Sequence, residues 1–114
     1  MQIFKILLPK EWQELQRDGQ TGGAPIDLKD GYIHFSTAAQ LRETAAKHFS
    51  GESEIFVLAC DANQMTSALK WEVSRGWDMF PHLYGPLDIR SVLWHEAVPF
   101  TDGQHQFSAR IPLT

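Results

Sequence analysis

The sequence predicts an α+β domain, and three observations carry that expectation. Hydrophobic patterning runs strand, helix, loop, strand, helix and then mostly strand, an order that suits an α+β chain. The length of 114 residues allows one compact domain and is too short for two ordinary ones. A 43% apolar composition with seven Phe and four Trp supplies a core, so the domain should fold on its own. We read residues 1–114 as a single domain, with a core over 2–99 and a C-terminal arm over 100–114.

The elements follow in order. The run "IFKILL", interrupted by Lys5 and followed by a proline, predicts a strand over residues 2–7. In "PKEWQELQRDG", Trp12, Leu15 and Gln16 recur at helical spacing, Glu11 sits in the first turn and Gly19 suits a C-cap, so a short amphipathic helix is expected. Residues 19–31, "GQTGGAPIDLKDG", hold four glycines and a proline, which predicts a long loop of the lid or binding kind. "YIHF" reads as a brief strand and "STAAQLRETAAKHF" as a helix with Ala38, Leu41, Ala45 and Phe49 on one stripe. Thr37 and Gln40 form a capping-box pattern at its start.

The nearly continuous apolar run "EIFVLACD" predicts a strand buried on both faces, and "ALKWEV" a weaker alternating strand. A Gly- and Pro-rich loop containing "FPHLYGPL" then leads to the last strand, "SVLWHEAV". The tail from Thr101 ends in the apolar "ARIPL", expected to pack as an arm on the body or on a second copy, so monomer and homodimer both stay open.

Charge and composition exclude several classes of function. Ten basic residues against fourteen acidic give a net charge of -4 without a long block of either sign, which disfavours a non-specific grip on nucleic acid or an anionic membrane. Cys60 is the lone cysteine, so no intrachain disulfide or thiolate cluster forms, and a small buried hydrophobe in a reducing compartment is expected. With no bilayer-length apolar run and no leader pattern, the expected location is cytoplasmic. The five histidines lack metal-ligand spacing, so no metal is expected, and Gly-x-Ser-x-Gly, Gly-x-Gly-x-x-Gly and P-loop signatures are absent.

The candidates for chemistry fall into three groups. His34 points to the face opposite Ile33 and Phe35, either as a strand histidine with one backbone partner or as a site residue beside Ser36, Thr37 and the N–H groups of a helix start, which favour anions. His82 and Tyr84 occupy alternate positions between two prolines and a glycine; they present two hydrogen-bonding rings to a ligand, or belong to a turn stapled by Phe80, Leu83 and Leu87. Glu72 and Arg75 offer a carboxylate for a ribose hydroxyl and a guanidinium for a phosphate, or pair with each other at the surface. The four Trp read as core or rim residues.

Taken together, "IFKILLPKEW", "DGYIHFSTAAQLRETAAKHF", "WEVSRG" and "FPHLYGPL" resemble the small bacterial family catalogued as domain of unknown function 952, over residues 3 to about 98. That resemblance implies an ADP-ribosyltransferase-like fold: a split, mostly antiparallel sheet with two main helices. Within that fold the chain looks most like the RNA 2′-phosphotransferases, which use NAD. "GYIHFST" is similar to their His-Val-His-Leu-Ser strand, which places His34 at an NAD-site histidine, whereas Lys5, Ile6 and Leu7 stand where they carry His-Gly-Thr. The resemblance implies a transferase-like, nucleotide-binding enzyme with NAD as cofactor and a cleft lined by Lys5, His34, Ser36, Thr37, Arg75, His82 and Tyr84. Glu72 and Glu96 are its candidate carboxylates. The competing expectation is a non-catalytic module on the same fold that binds a small molecule or a protein.

Overall fold

The structure, a computed structural model, describes residues 1–113 apart from the side chains of Thr66 and Arg75. In chain order its elements are β1 (Gln2–Leu7), α1 (Pro9–Asp18), β2 (Gln20–Thr21), α2 (Pro25–Asp30), β3 (Ile33–His34), α3 (Ala38–His48), β4 (Glu54–Asp61), β5 (Leu69–Val73), β6 (Met79–Leu83), β7 (Leu87–Asp88), β8 (Val92–Thr101) and β9 (Gln104–His105). The fold is α+β, as the element order predicts. The described strand pairs are all antiparallel and make sheets of order β1-β4-β8-β9 and β3-β6-β5, with a small β2-β7 pair. Phe4 and Ser36 exchange two backbone hydrogen bonds (2.8 and 2.9 Å), which joins the free edge of β1 to the chain leaving β3 and curls the two larger sheets into one surface.

β4 sits between β1 and β8 and separates two apolar layers, because successive side chains on a strand alternate faces. Ile55, Val57 and Ala59 pack with Phe4, Ile6 and Val98 beneath Leu41 and Ala45 of α3. Leu58 and Cys60 pack with Ile3 and Leu7 against Trp12 and Leu15 of α1 and against Ile33 and Leu83 of the second sheet. Burial pushes the Cys60 thiol up to about 12, so it behaves as the small hydrophobe the sequence suggests. The stripe expected on α3 is present, with Thr37 Oγ1 accepting from Gln40 N–H (3.3 Å) and Gln40 Oε1 accepting from Thr37 N–H (3.0 Å). α1 ends on Gly19 in the left-handed region, as its sequence predicts.

Three expectations are corrected. The loop over 19–31 contains the helix α2, which Pro25 opens at a position where a missing N–H costs nothing and Gly31 closes at φ 86°. The segment expected as a rigid loop at residues 80–87 contributes β6, the central strand of its sheet. Proline is tolerated there because β3 ends beside it: Phe35 N–H donates to the Pro81 carbonyl (3.0 Å), and the return bond that Pro81 cannot make falls where the partner strand stops. Trp77 is neither core nor rim, with 88% of its surface exposed.

The tail folds back on the body. Ile111 is buried in the layer under α3, and Arg42 donates to the carbonyls of Ile111 (3.0 Å) and Pro112 (3.3 Å). Among the described residues no helix is long and apolar enough to cross a membrane.

Candidate functional site

The β3-β6-β5 sheet carries an unusual set of side chains on the face turned away from the core. Register places His34 opposite His82, His82 opposite Lys70, and Phe80 opposite Glu72; the two-residue repeat puts Tyr32 and Tyr84 on the same face. The His34 and His82 rings lie 5.5 Å apart, edge to face. Tyr32 packs against both, at 4.1 Å from His82 and 4.6 Å from His34, and stands 5.3 Å from Tyr84. The predicted site histidines and tyrosine therefore converge, with a second tyrosine, Tyr32, packed between them.

Asp27 organises one end of the cluster. It occupies the first turn of α2, where its Oδ2 accepts from Ala24 N–H (2.8 Å). The glycine-rich approach is needed here: a Cβ on Gly23 would lie 2.5 Å from Asp27 Cβ and Oδ2, and Gly23 has φ 107°. Lys5 projects from β1 between Ile3 and Leu7 into the apolar layer, 5% exposed, and its Nζ donates to Asp27 Oδ2 (2.7 Å). The other oxygen, Oδ1, accepts from His34 N–H (3.1 Å) and lies 2.6 Å from His34 Nδ1. Because His34 forms a non-bonded pair with His82, its N–H points away from β6, and Asp27 supplies the partner a neighbouring strand would otherwise give.

Asp27 itself is 1% exposed, and burial alone would raise its carboxyl. The hydrogen bonds from His34 and the charge of Lys5 outweigh burial and hold it at about 2. An ionised carboxylate only accepts, so Nδ1 of His34 carries hydrogen; its Nε2 turns outward and meets a second carboxylate, Asp30 Oδ2, at 3.0 Å.

Glu72 organises the other end. Its Oε1 accepts from Tyr84 Oη (2.7 Å) and lies 2.8 Å from His82 Nδ1, so that nitrogen too carries hydrogen. The bonds from Tyr84 and His82 hold the Glu72 carboxyl below its ordinary range. Reciprocally, the bond to Glu72 pushes the Tyr84 hydroxyl up to about 12, and burial together with Asp30, Glu72 and Asp27 raises that of Tyr32. Lys70 Nζ stands 5.0 Å over the Tyr84 ring. The result is two imidazoles, each with Nδ1 on its own carboxylate, walled by two tyrosines. His34 has a third of its side chain exposed, whereas His82 is 4% exposed. Solvent therefore reaches His34, whereas His82 is enclosed against Glu72 and Tyr32.

A cleft of about 230 Å³ opens beside the cluster, between α2 and the turn after β6, with Asp27, Tyr32 and Leu83 in its wall and Gly22, Gly31 and Gly85 around it. Tyr32 separates this space from the two histidines. A larger cavity of about 470 Å³ lies elsewhere, between α3 and the β8-β9 hairpin, lined by Arg42, Phe100, His105 and Phe107 among others. Among the described residues, no group of three or more His, Cys, Asp or Glu is placed to hold a metal.

Of the residues predicted to line the cleft, Lys5, His34, His82 and Tyr84 come together, and Glu72 joins them. Ser36 and Thr37 do not: the buried Ser36 hydroxyl bonds Thr44 Oγ1 (3.1 Å) and the Thr37 hydroxyl caps α3. The side chain of Arg75 lies outside the described residues. Glu96 is on β8, accepting from Ser108 Oγ (2.9 Å) and holding the tail. Asp27, Asp30 and Tyr32 were missed. The alternation in "YIH" points to Tyr32, and Asp27 carries only the signature of Pro followed two residues later by an acid at a helix start.

A family model described as "Protein of unknown function (DUF952)" matches residues 6–95. Among solved structures, the chain is similar to the crystal structure of protein CC0527 from Caulobacter crescentus, with 39% identity and a TM-score of 0.93 over 97% of this chain and 98% of that one. A double mutant of CC0527 gives 40% identity and a TM-score of 0.92 over the same shares. The solution structure of CC0527 gives 39% and 0.86 over 99% and 98%. No curated protein matches the chain.

Proposed function

The chain belongs to the DUF952 family, whose function is unknown, and on that footing we propose that it is an ADP-ribosyltransferase-like, NAD-using enzyme that holds the nicotinamide-ribose end of its nucleotide on the Tyr32–His34–Tyr84 face. The observation that carries this reading is the pairing of two carboxylate-fixed imidazoles with two tyrosines on one sheet face. Lys5 compensates Asp27 internally, which leaves Asp30 and Glu72 at the surface of an aromatic wall. Such a wall favours a flat cationic ring over a neutral or anionic one.

The residues fit one end of the nucleotide. The ring and its sugar lie on the exposed face of Tyr32, His34 and Tyr84; the cleft of about 230 Å³ opens on the other side of Tyr32 and is not their seat. NAD would supply an electrophilic ribose carbon whose leaving group departs as a neutral ring. Glu72, 38% exposed, has room to accept a ribose hydroxyl while Tyr84 and His82 keep it ionised and oriented. His34 Nε2, 3.0 Å from Asp30 Oδ2, is the group that takes or gives a proton, with Asp27 holding Nδ1 and so orienting the ring. His82 positions Glu72 without reaching the surface. Ser36, Thr37 and Glu96 have no part in this reading.

Isothermal titration of the purified protein with NAD, ADP-ribose and a 2′-phosphorylated oligoribonucleotide tests it. NAD should bind more tightly than ADP-ribose, which lacks the cationic ring, and His34→Ala should weaken NAD. No heat with any of the three, at concentrations well above a millimolar affinity, would sink the proposal. The packing of Tyr32 between the two histidine rings favours a second reading, a non-catalytic module on the same fold; under it His34→Ala changes no nucleotide binding because there is none.

A further inference from the structure

β5 lies at the edge of its sheet, and among the described residues no strand pairs with its outer side. Its backbone phase follows from Pro81. The Pro81 carbonyl bonds Phe35 on the β3 side, so Trp71, directly opposite, turns its N–H and C=O away from β6, and Leu69 and Val73 do the same at two-residue intervals. Bonds from Tyr84 N–H to the Ala68 carbonyl (2.7 Å) and from Ser74 N–H to the Asp78 carbonyl (2.9 Å) keep that phase at both ends of the strand. Trp71 and Val73 are exposed, as are Trp77 and Met79 beside them. An exposed apolar edge of this kind is normally blunted or paired.

The sequence of the edge, "LKWEV", is complementary to itself in one register. In an antiparallel pair of two copies centred on Trp71, Leu69 meets Val73, Trp71 meets Trp71, and Lys70 meets Glu72, each on one face. The outward backbone groups of Leu69, Trp71 and Val73 then fall in bonded pairs, the phase that this register requires. Slipping by one residue would turn every side chain to the wrong face.

We propose that β5 is a homodimer edge, joining two copies of this chain antiparallel about Trp71 into one continuous sheet. The partner occupant is a second copy because the edge matches its own charges in that arrangement: Lys70 of the partner subunit stands beside Glu72, and Glu72 of the partner subunit beside Lys70. The two-fold axis therefore adds a second cation next to the Glu72–Tyr84–His82 group and places the two candidate sites side by side on one face. A five-residue edge is at the small end of interfaces, so the dimer forms with rising concentration rather than permanently.

Sedimentation velocity on the full chain tests this. The wild type should shift with concentration towards twice the 13.0 kDa chain mass. Lys70→Glu and Glu72→Lys should each weaken self-association by about tenfold or more, since like charges then face each other twice across the axis. An equimolar mixture of the two variants should recover the dimer, because every facing pair is again opposite in sign. Trp71→Pro removes an outward N–H without touching a β5–β6 bond, so it should leave the circular dichroism of the fold intact and abolish the dimer. A wild type that stays monomeric at every concentration short of precipitation overturns the proposal. So does a dimer unchanged by Lys70→Glu and Trp71→Pro, or a variant mixture that does not associate.

Discussion

Replacing Asp27 by Asn removes one charge and keeps the shape, and it should be among the most damaging single changes in the protein. The folded-state carboxyl sits at about 2 against an ordinary 3.8. At ~1.4 kcal/mol for each tenfold change in proton affinity, that depression is worth about 2–3 kcal/mol at neutral pH. The carboxyl is depressed by folding, so this stability is fully present above about pH 4 and is lost as pH falls through about 2. The amide also leaves Lys5 charged and buried with no counter-ion, and breaking a buried pair by removing one partner costs about 3–5 kcal/mol. Urea denaturation at pH 7 should show a loss in that range. Across pH 4 to 2 the variant should lack the steep decline the wild type shows from this group. Asp27→Leu combined with Lys5→Met should recover the part owed to the stranded Lys5 charge, but not the bonds that Asp27 accepts from Ala24 N–H and His34 N–H. A loss under about 1 kcal/mol for Asp27→Asn at pH 7 would mean that Asp27 does not anchor Lys5 and His34.

Three further predictions test separate parts of the structure. Gly23→Ala drives a Cβ into Asp27 at a positive φ and should cost about 1–3 kcal/mol, read by thermal denaturation, with loss of amide protection at Ala24 and His34. The chain has two tyrosines, and ultraviolet titration should show one ionising near 12; Glu72→Gln should bring that transition back towards 10, and an unchanged curve would break the Tyr84–Glu72 assignment. Thr37→Ala removes the α3 cap and should cost about 1 kcal/mol while leaving nucleotide titrations unchanged, whereas a helix start that held phosphate would lose affinity with the cap.

β1, α1, α3 and β4 were legible in the sequence because each carries a sustained apolar period, and in β4 burial on both faces leaves no polar gap. α2 was not, since Ile26 and Leu28 are exposed and only Pro25 and Gly31 mark its ends. β6 was hidden by its composition: Phe80, Pro81, His82 and Leu83 are all buried, so no alternation appears, and Pro81 is allowed only by where β3 stops. The same division holds at the site. His34, His82, Tyr84 and Glu72 stood out as polar groups in apolar or rigid surroundings. The bond from Lys5 to Asp27, 22 residues away, depends on how β1 and α2 pack, which no local pattern encodes. Thr37 read correctly as a cap, and that role uses the hydroxyl that a ligand would need.

On the proposed function, the Tyr32–His34–Tyr84 face takes a cationic, nucleotide-borne ring. The most direct measurement is a set of amide proton–nitrogen correlation spectra during addition of NAD and, in parallel, of its reduced form with a neutral ring. Shifts should be confined to residues 27–34, 69–73 and 79–84, larger for the oxidised form and abolished by His34→Ala. Equal shifts for both forms, or shifts confined to the cavity lined by Arg42, Phe100, His105 and Phe107, would contradict it.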